Sequence, residues 1–415
     1  MRILYVCSDF GVPVYGHKGC SIHVRAMVRA FAELGHDVHV LSPAAERVAN
    51  LDFAVPASMP VDLGPYTPAL DTLRRIDRRL GNAASGHPAR VGQEVRTLLY
   101  NQALAVAPLH AGAFDCIYER YALFGFGGLE LARRLGIPHV LEVNAPLCAE
   151  QERVRGLHLA DVAQALEARV WCETGAVLAV SEETAAAARD CGADAERVHV
   201  VPNGVDTARF ALDRATAAAR VRAGLDLGTG PIVGFVGSLK PWHGTDVLVD
   251  AFARVAPSQP QARLLVVGDG PAAESLRAAV HGYGLDSRVR FTGAVEHARV
   301  PELVAAMDVA AAPYRSTEDF YFSPIKVYEY MAAGTPVVAS PLGQIAPLVA
   351  DGFVVPAAAG DAAALAAALQ SVLRAPAAAA ERAARGRDWT LRERTWAANA
   401  RRVAAIIAAT AAAPA

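Results

Sequence analysis

Two successive series of alternating strand and helix signals predict an α/β protein built of two Rossmann-like domains with parallel sheets. The first observation behind this is the pattern: short apolar runs of strand length separated by segments of helical periodicity. The second is length, since 415 residues suit two or three domains that each bury a core. The third is composition: 53% of residues are hydrophobic, 20% are charged, and the formal net charge is −2. That near-neutral balance argues against a nucleic-acid partner, which calls for a basic excess.

The elements follow in order. Arg2–Cys7 is a short apolar run with turn residues after it, a buried strand. Ser21–Leu34 carries Ile22, Val24, Met27, Val28, Phe31 and Leu34 at helical spacing and stops at Gly35. Asp37–Leu41 is the next strand and completes a βαβ unit. Residues 51–95 interrupt the pattern and read as a long loop with helical pieces, including the basic cluster Arg74-Arg75-Ile76-Asp77-Arg78-Arg79. That cluster reads best as a solvated helix face, with peripheral contact to an anionic membrane surface left open. Strands are expected near 115–119 and 138–143, a long helix over about 148–174, and further strands near 176–180 and 198–201.

The second series begins after Pro202-Asn203-Gly204, with strands at Ile232–Val236, Arg263–Val267, Val289–Thr292, Val309–Ala312 and Pro336–Ala339. The alanine-rich runs 362–368 and 377–384 read as helices, alanine being the best helix former. Asp388–Ile407 reads as a closing helical tail. Two such domains facing a central cleft are expected to bind ligand there, at the carboxyl ends of the strands.

No apolar stretch approaches the ~18–20 residues of a spanning helix. Met1-Arg2 leads directly into Ile3-Leu4-Tyr5-Val6, so a cytoplasmic protein is expected. Cys7, Cys20, Cys116, Cys148, Cys172 and Cys191 are scattered without a CxxC pair and read as small core residues. The 12 histidines show no metal-binding spacing, and neither a metal nor a cofactor is expected.

The strongest chemical signal is Phe320-Tyr321-Phe322-Ser323-Pro324-Ile325-Lys326-Val327-Tyr328-Glu329, followed by Tyr330-Met331-Ala332-Ala333-Gly334. Ser323 followed by Pro324 reads as a helix start, a hydroxyl N-cap with proline at the first helical position. Helix N-termini attract phosphate, and Lys326 in the first turn gains nothing from the dipole unless an anion is held there. Glu329 lies three residues on, able to accept hydrogen bonds from sugar hydroxyls. The competing reading is an ordinary helix with a surface Lys–Glu pair.

A second candidate is Gly237-Ser238-Leu239-Lys240-Pro241-Trp242-His243-Gly244, a glycine-bounded loop at the end of a strand. A third is Gly16-His17-Lys18-Gly19-Cys20-Ser21, between the first strand and first helix. Neither matches the P-loop, and no G-x-G-x-x-G follows a strand, which weakens a dinucleotide reading. Gly268-Asp269-Gly270-Pro271 reads as a tight turn, and Ser181 as a helix cap. Glu119, Arg120, Glu142 and Asn144 end strands of the first domain. They read equally as substrate contacts or as a buried salt-bridge network.

Together, Pro202-Asn203-Gly204-Val205-Asp206, the loop 237–244, Gly268-Asp269-Gly270-Pro271, Phe291-Thr292-Gly293 and Glu329-Tyr330-Met331-Ala332-Ala333-Gly334 resemble the retaining GT-B glycosyltransferases of family 4. The resemblance covers nearly the whole chain. It implies an N-terminal acceptor domain, 1–204, completed by a C-terminal helix over 388–411 that crosses back to it, and a donor domain over 205–387. It implies transfer of a hexosyl group from a UDP- or GDP-sugar to a glycan, lipid-linked or small-molecule acceptor. It also implies that the departing diphosphate assists the transfer, with no protein nucleophile.

Residue by residue, Glu329 matches the ribose-holding second glutamate of E-x7-E, Gly19 the glycine loop at the donor phosphates, and Val295 the base-reading segment. Ser323, Pro324 and Ile325 fall at the donor helix start. Three departures stand out: the first glutamate of E-x7-E falls on Tyr321, and the family's Arg and Lys fall on Ser238 and His243. The reading is therefore an altered diphosphate grip in which Lys326 and Lys240 supply charge, assisted by His243, with Glu318 or Asp319 replacing the lost carboxylate. The competing readings are an idle sugar or nucleotide binder or partner subunit on the same fold, and a nucleotide-sugar epimerase or dinucleotide oxidoreductase, the last disfavoured by the missing G-x-G-x-x-G.

Overall fold

The computed structural model describes residues 1–16, 19–43, 61, 63–81, 91–316, 320–321 and 323–412. The chain divides into two compact units, one of Met1–Pro202 with Asn399–Ala415, the other of Asn203–Ala398.

The first unit is built on β1 (Arg2–Cys7), β2 (Asp37–Leu41), β3 (Cys116–Arg120), β4 (His139–Val143), β5 (Ala176–Ala179) and β6 (Val198–Val200). All pair in parallel, in the order β2-β1-β3-β4-β5-β6. The second holds β7 (Ile232–Val236), β8 (Arg263–Val267), β9 (Val289–Phe291), β10 (Val309–Ala312), β11 (Val337–Ala339) and β12 (Val355–Pro356). Its order is β12-β11-β10-β7-β8-β9, again parallel throughout. Strands covered on both faces by helices need continuous apolar runs, and β1 and β7 are buried from Ile3 to Cys7 and from Ile232 to Val236. This is the doubly wound α/β architecture that the alternation predicts.

Four boundaries differ from expectation. The helix expected over 148–174 is two helices, Leu147–Arg155 and Ala160–Glu173, because Gly156 at φ 76° ends the first. The stretch 51–95, expected as a long loop with helical pieces, contains the whole helix Thr67–Gly81 and the start of Val91–Ala105, longer than pieces, while 44–60, 62 and 82–90 lie outside the described residues. β12 is only two residues long, too short for a periodicity signal. The closing tail is two helices, Pro376–Glu393 and Trp396–Ala412, and residues 388–398 pack with the second unit; return to the first begins at Asn399. Arg394 causes the break: its carbonyl accepts from Val205 N at 2.8 Å, and Val205 bridges to Thr395.

The cysteines are all free. Cys7, Cys116 and Cys148 are buried as expected, whereas Cys20 and Cys172 are half-buried and Cys191 is exposed, so the core reading fails for these three. Among the described residues no single helix is long and apolar enough to cross a membrane.

Side-chain alternation along β3 and β4 sorts four polar groups onto two faces. On one face Glu119 accepts from His139 Nε2 at 2.9 Å, and His139 Nδ1 lies 2.9 Å from the Thr174 hydroxyl. Glu119 is 1% exposed, and its carboxylate lies against the first turn of the helix Gly127–Leu135. A Cβ on Gly128 would fall inside the contact radius of Glu119 Oε2, so any larger residue forces this buried carboxylate to shift from His139. Gly128→Ala is expected to destabilise the protein by about 1–3 kcal/mol, the cost of overpacking, despite the better helix propensity of alanine. Urea denaturation with an unchanged m-value checks it.

Candidate active site

The second sheet reverses its order between β7 and β10, and ligands of open α/β sheets bind outside the carboxyl ends of strands at such a point. Two loops meet there. After β7, Gly237 to Gly244 turns outward; after β10, Pro313 and Tyr314 lead toward the helix Ile325–Ala332. Hydrogen bonds lace the region: Arg315 N donates to Trp242 O at 3.1 Å, Leu239 N to Asp269 O at 2.9 Å, and Gly268 N to Gly293 O at 3.0 Å. The segment Gly268-Asp269-Gly270-Pro271 is thus a buttress of the loop after β7 as well as a turn.

Lys326 sits at the centre of this junction. Part of its side chain is exposed, but Nζ is sealed from solvent and has no hydrogen-bond partner among the described residues. Nζ lies 4.3 Å from the Phe235 ring centroid and 5.1 Å from that of Tyr314, within cation–π range of both. It also lies against Gly237, where an added Cβ would meet it at 2.8 Å and where φ is 145°. Burial pulls the ammonium down to about 7, with Glu329 opposing the shift. Of the two readings of Lys326, the exposed surface pair fails: Glu329 accepts instead from His297 Nε2 at 2.8 Å.

The remaining residues of the second unit fall into place around it. His243 Nδ1 lies 2.5 Å from Ser238 O, and a carbonyl can only accept, so Nδ1 carries the proton and Nε2 faces away as an acceptor. Burial, then Lys326, then Lys240 push His243 down to about 3. It is neutral at pH 7, which corrects its expected role as a cation. Lys240 Nζ stacks 4.7 Å from the Trp242 ring centroid, and Ser238 is exposed.

Ser323 is not the helix N-cap. The cap position is Pro324, which makes no side-chain cap bond, and the Ser323 hydroxyl instead accepts from Asn203 N at 2.9 Å and donates to Gln344 at 3.0 Å. Pro324 has no N–H and has φ −83°, so it accommodates the cap position and displaces the serine outward by one residue. Tyr321 is buried, Ile325 half-buried, and Val295 packs on the core of its unit. Glu318, Asp319 and Phe322 lie outside the described residues.

In the first unit, Arg120, Glu142 and Asn144 come together, as anticipated, but on one another. Glu142 accepts from Arg120 at 2.8 Å, from His23 Nε2 at 2.7 Å, and from Tyr118 and Asn144. Burial alone would raise its carboxyl; His23, Arg120 and Tyr118 outweigh that and hold it at about 2. The buried ion-pair network is therefore the reading this structure displays, and His23 and Tyr118 are members that no sequence signal marked. Gly19 opens the helix Gly19–Glu33 with free space where a Cβ would stand, and His17 and Lys18 lie outside the described residues.

A cavity of about 520 Å³ in the second unit lies elsewhere, beside Pro231, Asp308 and Pro336 at the opposite ends of β7, β10 and β11. Its Arg214 is spent on the carbonyls of Met307 and Ala333. Among the described residues no three metal-binding side chains converge.

Two Rossmann-like units, one with a sealed lysine at its switch point, define the class as doubly wound α/β proteins of two domains. Residues 17–209 match the model described as glycosyltransferase family 4 and residues 230–375 that of glycosyl transferases group 1, and the chain belongs to this family. It is 33% identical over 273 residues to a 2-deoxystreptamine glucosyltransferase of Streptomyces kanamyceticus, covering 62% of this chain and 67% of the relative. It is 35% identical over 191 residues to a GDP-mannose-dependent alpha-(1-6)-phosphatidylinositol monomannoside mannosyltransferase of Mycobacterium tuberculosis, covering 45% and 49%. The chain thus spans about half to two thirds of the length of such curated relatives. The structure of Anabaena Alr3699/HepE in complex with UDP aligns over 99% of this chain and 100% of its own, at 20% identity and TM-score 0.71. Sucrose-phosphate synthase from Thermosynechococcus elongatus aligns over 99% of both, at 22% identity and TM-score 0.72. These likenesses establish the fold.

An unpaired ammonium sealed from water is a burden on the free protein. Lys326→Met is expected to stabilise it by about 0.5–2 kcal/mol near pH 7. The folded value of about 7 lies below the unfolded 10.5, so the burden is complete below pH 7 and vanishes as pH rises towards 10.5. Chemical denaturation at pH 6.5 and pH 9.5 checks both sign and trend.

Proposed function

We propose that this protein is a retaining hexosyltransferase that takes a UDP- or GDP-sugar and transfers the sugar to a hydroxyl of a glycan, lipid-linked or small-molecule acceptor. The observation that carries the reading is Lys326 Nζ, sealed, without a hydrogen-bond partner among the described residues and set at the switch point. A diphosphate is the anion that suits it: two linked phosphates reach from the backbone of the loop after β7 to the start of the helix Ile325–Ala332. Relatives named for glucosyl transfer and for GDP-mannose support a nucleotide-sugar donor, as do neighbours solved with UDP and UDP-glucose.

In the transfer, the bond from the anomeric carbon to the diphosphate oxygen breaks as the acceptor oxygen bonds to the same face of that carbon. The acceptor proton passes to the departing diphosphate, so no protein nucleophile is consumed. The protein's part is electrostatic: Lys326 faces the charge that develops on the leaving oxygen, in a site from which water is excluded. Neutral His243 takes the place of a second cation and offers Nε2 as an acceptor, for instance to an N–H of Lys326 or a hydroxyl of the sugar. Glu329 meets the nucleotide ribose. Lys240, stacked on Trp242, adds long-range positive potential.

Lys326→Ala is expected to lower kcat about 10²–10³-fold in a donor-plus-acceptor assay that follows nucleoside diphosphate release; full turnover would overturn the reading. NMR of the product's anomeric proton tests retention. Binding a diphosphate raises the Lys326 ammonium back toward its ordinary range. Calorimetry of UDP in buffers of differing ionisation enthalpy should therefore show proton uptake at pH 8, absent in Lys326→Met. A melting temperature unmoved by every UDP- and GDP-sugar would remove the donor assignment.

A further inference from the structure

Arg209, His297 and Glu329 are separated by 88 and 32 positions in the chain but form one line of hydrogen bonds. Arg209 lies in the 3-10 turn Thr207–Phe210, His297 opens the 3-10 turn His297–Arg299, and Glu329 sits in the helix Ile325–Ala332. Arg209 Nη1 is 2.5 Å from His297 Nδ1. A guanidinium only donates, so Nδ1 holds a lone pair and the ring proton sits on Nε2. That Nε2–H donates to Glu329 Oε1 at 2.8 Å. The arginine therefore sets the tautomer, and the tautomer sets the direction of the carboxylate.

The Glu329 side chain is 9% exposed, and Oε2 has no partner among the described residues. A carboxylate with one oxygen clamped and the other open is oriented for an incoming donor. An ordinary ion pair would not need the ordered tautomer, and a guanidinium facing a second N–H would oppose it.

We infer that His297 is a positioning residue for the nucleotide ribose: by clamping Oε1 it turns Oε2 of Glu329 to accept from a ribose hydroxyl. This rests on the reading that Glu329 meets the ribose. It gives the protein a means of preferring ribonucleotide over deoxyribonucleotide donors that depends on a residue which does not itself touch the ligand.

The test is isothermal calorimetry of the full chain with UDP, 2′-deoxy-UDP and 3′-deoxy-UDP. The wild type is expected to bind UDP about tenfold or more tightly than at least one deoxy analogue, the worth of a hydrogen bond to a charged group. His297→Ala should bring that ratio to within about threefold and raise donor KM with kcat nearly unchanged, the signature of lost uniform binding. His297→Gln, whose amide N–H can still donate to Oε1, should keep the ratio. Arg209→Ala leaves His297 and Glu329 in place and should lower it, which keeps the inference testable if His297→Ala does not fold. A wild type that binds UDP but ignores both missing hydroxyls overturns the ribose reading of Glu329. Discrimination that survives in both His297→Ala and Arg209→Ala overturns the role of His297 alone.

Discussion

A lysine nitrogen held out of water with no hydrogen-bond partner among the described residues is the constraint that organises the second unit. Burial of an ammonium is costly, and two aromatic faces, Phe235 and Tyr314, offset only part of that cost. Phe235 belongs to β7 and Tyr314 follows β10, the two strands between which the sheet reverses direction, so the topology delivers both rings to one place. The glycine after β7 leaves room for Nζ. The Tyr330 hydroxyl accepts from Val236 N at 2.8 Å and fixes the end of the strand against the helix that carries Lys326. Strand order, aromatic placement and a missing Cβ all serve one sealed group.

The first unit handles buried charge in the opposite way. Glu142 collects Arg120, His23, Tyr118 and Asn144, and Glu119 collects His139. Around Glu142, removing one partner leaves the other stranded, whereas Glu119 keeps Oε1 buried without a partner among the described residues. The contrast separates the two halves of the protein by chemistry even though their sheets are alike.

Much of this was legible in the residues. The strands announced themselves because both faces of a parallel sheet are covered, which forces runs such as Ile3–Cys7 and Ile232–Val236. Lys326 and the loop 237–244 were legible because helix starts and strand ends have local signatures. What stayed hidden was tertiary. Neutral His243 follows from burial and the Ser238 carbonyl, neither of which has a sequence pattern. Ser323 looked like a cap because Ser-Pro is a cap motif, but its hydroxyl is claimed by Asn203, 120 positions away. His23 and His297 are single histidines in otherwise ordinary segments, and only long-range packing gives them partners. The split of the helix expected over 148–174 turned on Gly156, one residue that periodicity alone underweights.

The hydrogen bond from Val205 N to the Arg394 carbonyl places the entrance and exit of the second unit side by side. Topologically, residues 203–398 are an insertion between Pro202 and Asn399 of the first unit, closed at its neck like a purse. A block whose two ends meet can be exchanged for another of the same kind without rethreading the rest of the chain. Evolution of such a protein is therefore free to exchange residues 203–398 independently of the rest of the chain. An engineer could cut at the same two seams.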